Sequence, residues 1–159
     1  MIFHSDVSIK MIIITILIST YPCIFLLLRY IEIMTKILLV EDEEMIREMY
    51  QLALTQAGFE VDAVADGQLA VDKLTQGTPD YALVLLDVML PGLDGISVLK
   101  EMKKAPPPVN TIPVFLLTNL GLEDLVGEAM ELGAAKYMVK SNILPQQIID
   151  EIKAFLPAA

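Results

Sequence analysis

An α/β protein built on a doubly wound parallel sheet is what the sequence predicts, on three observations. From Met34 onward, strand-like and helix-like stretches alternate five times, and alternating β and α elements imply right-handed crossovers between parallel strands. Two of the strand-like runs, Ile37-Leu38-Leu39-Val40 and Tyr81–Leu86, carry no polar alternation, the pattern of strands buried on both faces. Both runs stop on acid, and ligands of open parallel sheets sit beyond the carboxyl ends of the strands.

The elements follow in order. Strands are expected at Lys36–Val40, Phe59–Val64, Tyr81–Leu86, Ile112–Leu117 and Lys136–Val139. Glu43–Ala57 places Ile46, Met49, Tyr50, Ala53 and Ala57 on one face at helical spacing, with Arg47, Glu48, Gln51 and Thr55 opposite, so an amphipathic helix is predicted there. Gly58 supplies its C-cap, as Gly77 does after Gly67–Gln76 and Gly133 after Leu122–Leu132. Asp94 caps a helix running through Lys104, and Pro145–Leu156 closes the chain with proline in its first turn. Phe59-Glu60-Val61-Asp62-Ala63-Val64 alternates apolar and acidic residues, which predicts a half-exposed edge strand. Ala105-Pro106-Pro107-Pro108 reads as a stiff surface loop.

Composition excludes several classes. The 159 residues suit one domain, and the formal charge of −10, from 21 Asp+Glu against 11 Lys+Arg, repels a phosphate backbone and argues against direct nucleic-acid binding. Cys23 is the only cysteine, which excludes an internal disulfide and fits a reducing compartment. The mean hydropathy of +0.59 is high for a soluble domain, and much of the excess lies in Met11–Leu28, 18 residues without a charge. As a helix this stretch is roughly 27 Å long, enough to cross a bilayer core. A cleaved signal peptide is disfavoured by its length and by the lack of a small-residue cleavage site. Two readings remain: a membrane anchor, or translation starting at Met34, which the near absence of a linker before Lys36 favours. Residues 1–33 are thus set apart from a domain at 34–157.

The chemistry centres on Asp87. The turn residues Pro91-Gly92 and Asp94-Gly95 follow it, so its carboxylate opens onto a loop. Glu41-Asp42-Glu43-Glu44 ends the first strand, and setting the two strands side by side gathers at least three carboxylates in one crevice. Such a cluster ionises only when a cation neutralises it, and an all-oxygen site favours Mg²⁺. Glu43 and Glu44 fit better as charges on the first turn of the following helix.

Four separated motifs then occur in order: Glu41-Asp42, Asp87 followed by V-M-L-P-G-L-D-G, Thr118 closing V-F-L-L-T, and Lys140 closing K-Y-M-V-K. In this the chain resembles the receiver domain of bacterial response regulators, from about Met34 to Leu156. The resemblance implies a flavodoxin-like (βα)₅ fold with strand order 2-1-3-4-5. It implies that Asp87 accepts a phosphoryl group from a sensor histidine kinase or histidine phosphotransfer protein. Mg²⁺ would be held by Asp42, Asp87 and the Met89 backbone carbonyl, with Glu41 acting through water. Lys140 adds a point positive charge at the phosphoryl oxygens, Thr118 turns its hydroxyl to the phosphoryl group, and Tyr137 matches the family's switch aromatic. The expected protein is a cytoplasmic signalling switch that acts on a downstream protein, and it is tethered to the membrane only if residues 11–28 are an anchor. A pseudo-receiver that binds partners without phosphorylation is the alternative. A phosphatase of the haloacid dehalogenase type is disfavoured, because Met89 stands where a second aspartate is needed.

The sequence departs from the family pattern in three places. Glu41 replaces the commoner aspartate, Asn119 follows Thr118 where a smaller residue is common, and Ser141 follows Lys140 where receivers usually carry a cis proline. A cis bond before serine costs roughly 3–4 kcal/mol, so a differently built loop is expected there.

Overall fold

The computed structural model describes residues 35–76 and 79–156. Five parallel strands, β1 (Lys36–Val40), β2 (Glu60–Val64), β3 (Tyr81–Asp87), β4 (Val114–Thr118) and β5 (Lys136–Val139), form one sheet in the order β2-β1-β3-β4-β5. The intervening helices are α1 (Glu44–Gln56), α2 (Gly67–Thr75), α3 (Gly95–Lys104), α4 (Glu123–Glu131) and α5 (Pro145–Phe155). This is the doubly wound, flavodoxin-like arrangement.

The uninterrupted apolar strands divide their side chains between two cores, because successive residues point to opposite faces. Ile37, Leu39, Leu83, Leu85, Phe115 and Leu117 pack with Tyr50 and Leu54 of α1 and Ile148, Ile149 and Ile152 of α5. Leu38, Val40, Val84, Leu86, Val114 and Leu116 pack on the other face with α2, α3 and α4. The acidic alternation of β2 is explained by its edge position: Lys36 lies 3.4 Å from Glu60 and 3.7 Å from Asp62, and Tyr81 donates to Asp62 at 2.6 Å.

Element boundaries shift where backbone chemistry requires it. Phe59 belongs to the closure of α1, since its N–H donates to the Leu54 carbonyl at 3.1 Å; β2 starts one residue later than expected. Pro113 has no N–H to give a ladder, and β4 begins after it, while Val109–Thr111 forms a short 3₁₀ turn. The caps lie as expected at Gly58 (φ +95°), Gly133 (φ +90°), Asp94, which accepts from Ser97 N–H at 2.7 Å, and Pro145. Gly77 and the stretch 11–28 lie outside the described residues. Among those described, no helix is long and apolar enough to cross a membrane.

On α1 the expected stripe packs on the core at Ile46, Tyr50, Ala53 and Ala57 and departs at one position. Tyr50 and Leu54 are buried, whereas Met49 joins Met45 and Leu52 among the exposed apolar side chains. Arg47, expected on the solvent face, is half-buried and turned back toward the β1–α1 loop.

Gly95 matters for a different reason than flexibility. A Cβ built on it falls 2.1 Å from the Asp87 carbonyl oxygen and 2.9 Å from Val88 Cα, so α3 approaches the end of β3 more closely than any side chain permits. Gly95→Ala is expected to destabilise the protein by about 1–3 kcal/mol in urea unfolding. Gly127→Ala, where a Cβ meets nothing within 4 Å, should instead stabilise α4 by roughly 0.5–1 kcal/mol. Equal effects at the two glycines would contradict this account.

Candidate functional site

The sheet topology brings the carboxyl ends of β1, β3, β4 and β5 to one crevice. Asp87 is the last residue of β3, is 1 % exposed, and pairs in register with Leu117, so Thr118 stands one step beyond it on the neighbouring strand. Val139 pairs with Thr118, which sets Lys140 just past the end of β5. Glu41 and Asp42 follow the end of β1.

The acids converge as expected: Glu41, Asp42 and Asp87 each offer a carboxylate oxygen within 4.8 Å of the others. Lys140 joins them, donating to Asp87 Oδ2 at 2.7 Å and to Glu41 Oε1 at 2.8 Å. The Met89 N–H holds the other Asp87 oxygen at 3.0 Å. Glu41 is fully buried, and both its oxygens lie against the same ammonium, Oε1 at 2.8 Å and Oε2 at 2.6 Å. Thr118 is buried and donates to the Asn119 carbonyl at 3.1 Å. Tyr137 is 49 % exposed and, with Thr118, Asn119, Leu120 and Met130, lines a cleft of about 390 Å³ beside the crevice.

Lys140–Asn142 forms a 3₁₀ turn, and the Lys140–Ser141 bond is not cis; the cis peptide among the described residues is Pro107–Pro108. The loop after β5 therefore departs from the family pattern as the serine required.

Burial raises the pKa of Glu41 and of Asp87, in each case against the relief that Lys140 supplies. Burial also works against the Lys140 charge, but its hydrogen bonds to Asp87 and Glu41 outweigh it and hold the ammonium's pKa above the ordinary value. A carboxylate with a raised folded pKa contributes stability that is complete below its unfolded pKa and is lost as pH rises through the folded one. The metal-free protein should therefore gain from removing one charge. Asp87→Asn is expected to unfold above the wild type at pH 7 in a thermal melt, with the gap closing toward the ordinary aspartate value of 3.8. A gap that widens in acid would reverse the sign and refute it.

The donor set fits a divalent cation. Three carboxylates and one ammonium leave two negative charges in the crevice, and all the ligands are oxygen.

Two contributions to the site escape sequence reasoning. Arg47 Nη1 donates to the carbonyls of Glu41 and Asp42, and the usable signal is that helical side chains lean toward the N-terminus, which carries residue 47 back over the loop. The close approach at Gly95 has no signal beyond the turn dipeptide itself.

A parallel sheet of this order, with its acidic crevice at the switch point, defines the flavodoxin-like class of α/β domains. The family profile "Response regulator receiver domain" matches residues 37–153, and the chain belongs to that family. It is 37 % identical over 122 residues to sporulation initiation phosphotransferase F of Bacillus subtilis, covering 77 % of this chain and 94 % of that protein. It is 40 % identical over 121 residues to the phosphate regulon transcriptional regulatory protein PhoB of Escherichia coli, covering 76 % of this chain and 51 % of that protein. The chain thus spans about half the length of such transcriptional regulators. Among solved structures, the chemotaxis protein CheY4 of Vibrio cholerae superposes with a TM-score of 0.69 at 26 % identity, over 78 % of this chain and all of that one. The Mn²⁺-bound form of response regulator Rcp1 does so with a TM-score of 0.67 at 34 % identity, over 78 % of this chain and 99 % of that one. The protein is a receiver domain of two-component signalling, and receivers bind a divalent metal at this acidic pocket.

Proposed function

We propose that Asp87 accepts a phosphoryl group from a phosphohistidine of a sensor kinase or phosphotransfer protein, and that the resulting acyl phosphate switches the domain's contacts with a downstream protein. One observation carries the reading: a buried carboxylate at a strand end, held by the Met89 N–H and the Lys140 ammonium, with two further acids beside it. Phosphoryl transfer asks the protein mainly to position the reactants and cancel charge.

Mg²⁺, when bound, supplies the positive charge that offsets the phosphoryl oxygens. Asp42, Asp87 and the Met89 carbonyl would hold it directly, with Glu41 acting through water. Lys140, already on Asp87, needs only to follow the incoming oxygens. Thr118 exchanges its weak bond to the Asn119 carbonyl for the phosphoryl group, and Tyr137 follows it into the adjoining cleft. That movement draws its energy from contacts made only in the phosphorylated state. The exposed Met45, Met49 and Leu52 on α1 offer adaptable apolar surface for a protein donor. The domain is taken as residues 34–157 and as cytoplasmic.

Incubation with Mg²⁺ and acetyl phosphate, followed by intact-mass measurement, tests the reading. One added, alkali-labile phosphoryl group is expected.

A further inference from the structure

The two consecutive acids Glu41 and Asp42 pose a geometric problem. In an extended strand, neighbouring side chains point to opposite faces, yet here both carboxylates reach within 4.8 Å of Asp87. The backbone must leave the extended path between them. Beyond the last ladder bond, from Glu41 N–H to the Val64 carbonyl at 3.1 Å, this pair leads only into the loop before α1.

Arg47 spans that bend. Its Nη1 donates to the Glu41 carbonyl at 2.9 Å and to the Asp42 carbonyl at 3.0 Å, so one nitrogen gathers two successive carbonyls that would diverge in a strand. Among the described residues its side-chain hydrogen bonds both go to these backbone oxygens, although five acids lie within six positions of it in the chain. Guanidinium suits this role, being planar, permanently charged and rigid in its donor directions.

We propose that Arg47 is the positioning residue of the metal site, holding the β1–α1 loop in the bend that turns Glu41 and Asp42 into one crevice. This rests on the reading of that crevice as a divalent-cation site. Outer-shell partners of this kind typically govern metal affinity by one to two orders of magnitude.

The sign of the effect separates the clamp from a mere charge. An arginine acting only through its charge repels a nearby cation, so removing it would tighten Mg²⁺ binding; a clamp, once removed, loosens it. Mg²⁺ is titrated calorimetrically into the full chain as wild type, Arg47→Met, Arg47→Lys and Gln51→Ala, an exposed neutral control one turn along α1, with metal-free thermal unfolding of each. Arg47→Met is expected to weaken Mg²⁺ binding about tenfold. Arg47→Lys, with charge kept but reach shortened, should weaken it less, and Gln51→Ala should leave it unchanged. Unchanged or tighter binding in Arg47→Met overturns the proposal. If that variant does not fold, Arg47→Lys decides: weaker binding supports the clamp and wild-type affinity overturns it. A wild type that takes up no Mg²⁺ refutes the metal site itself, which is a separate failure from a site that binds Mg²⁺ without needing Arg47.

Discussion

Asp87→Asn should abolish phosphoryl uptake from acetyl phosphate while leaving the fold intact. The amide keeps the shape of the carboxylate, and although its one oxygen can serve the Met89 N–H or the Lys140 ammonium but not both, Lys140 keeps its bond to Glu41 and the Val88 N–H to Leu117 carbonyl bond holds the end of β3 in place. What it loses is nucleophilicity, because an amide oxygen does not form a stable acyl phosphate. It also removes one of the three charges that bring a cation to the crevice. Of the neighbouring acids, Asp42 is exposed and outside the grip of Lys140, and Glu41 shares that ammonium with Asp87 but not the Met89 N–H. The measurement is intact mass after phosphodonor treatment, with peptide mapping of any modified species. Full modification of the variant would place the acceptor elsewhere. A wild type that never takes up phosphate, from the small donor or a kinase, would favour the pseudo-receiver that acts by binding alone.

The second large effect concerns how long the phosphoryl group stays. Its hydrolysis needs a water in line with the bond to Asp87, and the side chains placed to orient that water stand two residues past Asp87 and two past Thr118. These are Met89, 51 % exposed, and Leu120, 66 % exposed, so both border solvent beside the crevice and neither orients a water well. Each orienting contact that is missing slows the reaction roughly tenfold for 1.4 kcal/mol of barrier. Slow loss of phosphate is therefore expected from the wild type. Met89→Asn combined with Leu120→Glu should shorten the lifetime by at least about tenfold in a phosphate-release assay. An unchanged or longer lifetime would assign control of the rate to Asn119, the exposed residue between Thr118 and Leu120.

The parts of this architecture that local pattern determines were readable from the chain. Unbroken apolar runs gave the two-faced strands, acidic alternation gave the β2 edge, and glycine and aspartate caps gave the helix ends. The strand ends then located Asp87, Thr118 and Lys140, because in a parallel sheet sequence position along a strand is also position relative to the crevice. What escaped was carried by contacts between elements. Helical periodicity assigned Arg47 to solvent because it counts faces and does not follow a long side chain back over a loop. The same periodicity placed Met49 inward and overlooked Leu54, since the stripe that the sheet covers is set by how α1 crosses β1 and β2. Lys140 is expected beside the acids and lies there, but that it bonds Glu41 and Asp87 at once is a contact no local pattern encodes. Pro113 also delayed β4, an effect of one absent N–H that an apolar run conceals.

That double hold of Lys140 makes cation entry and ammonium release linked equilibria. The ammonium occupies oxygens that an incoming divalent ion also seeks, so on the proposed reading the ion's apparent affinity is its intrinsic affinity divided by the competition from a tethered lysine. A tether keeps that competitor at a fixed, high effective concentration that no dilution removes. The crevice is therefore buffered against stray cations, and only an occupant that offers Lys140 a new anionic partner, as a phosphoryl group does, relieves the competition instead of merely opposing it.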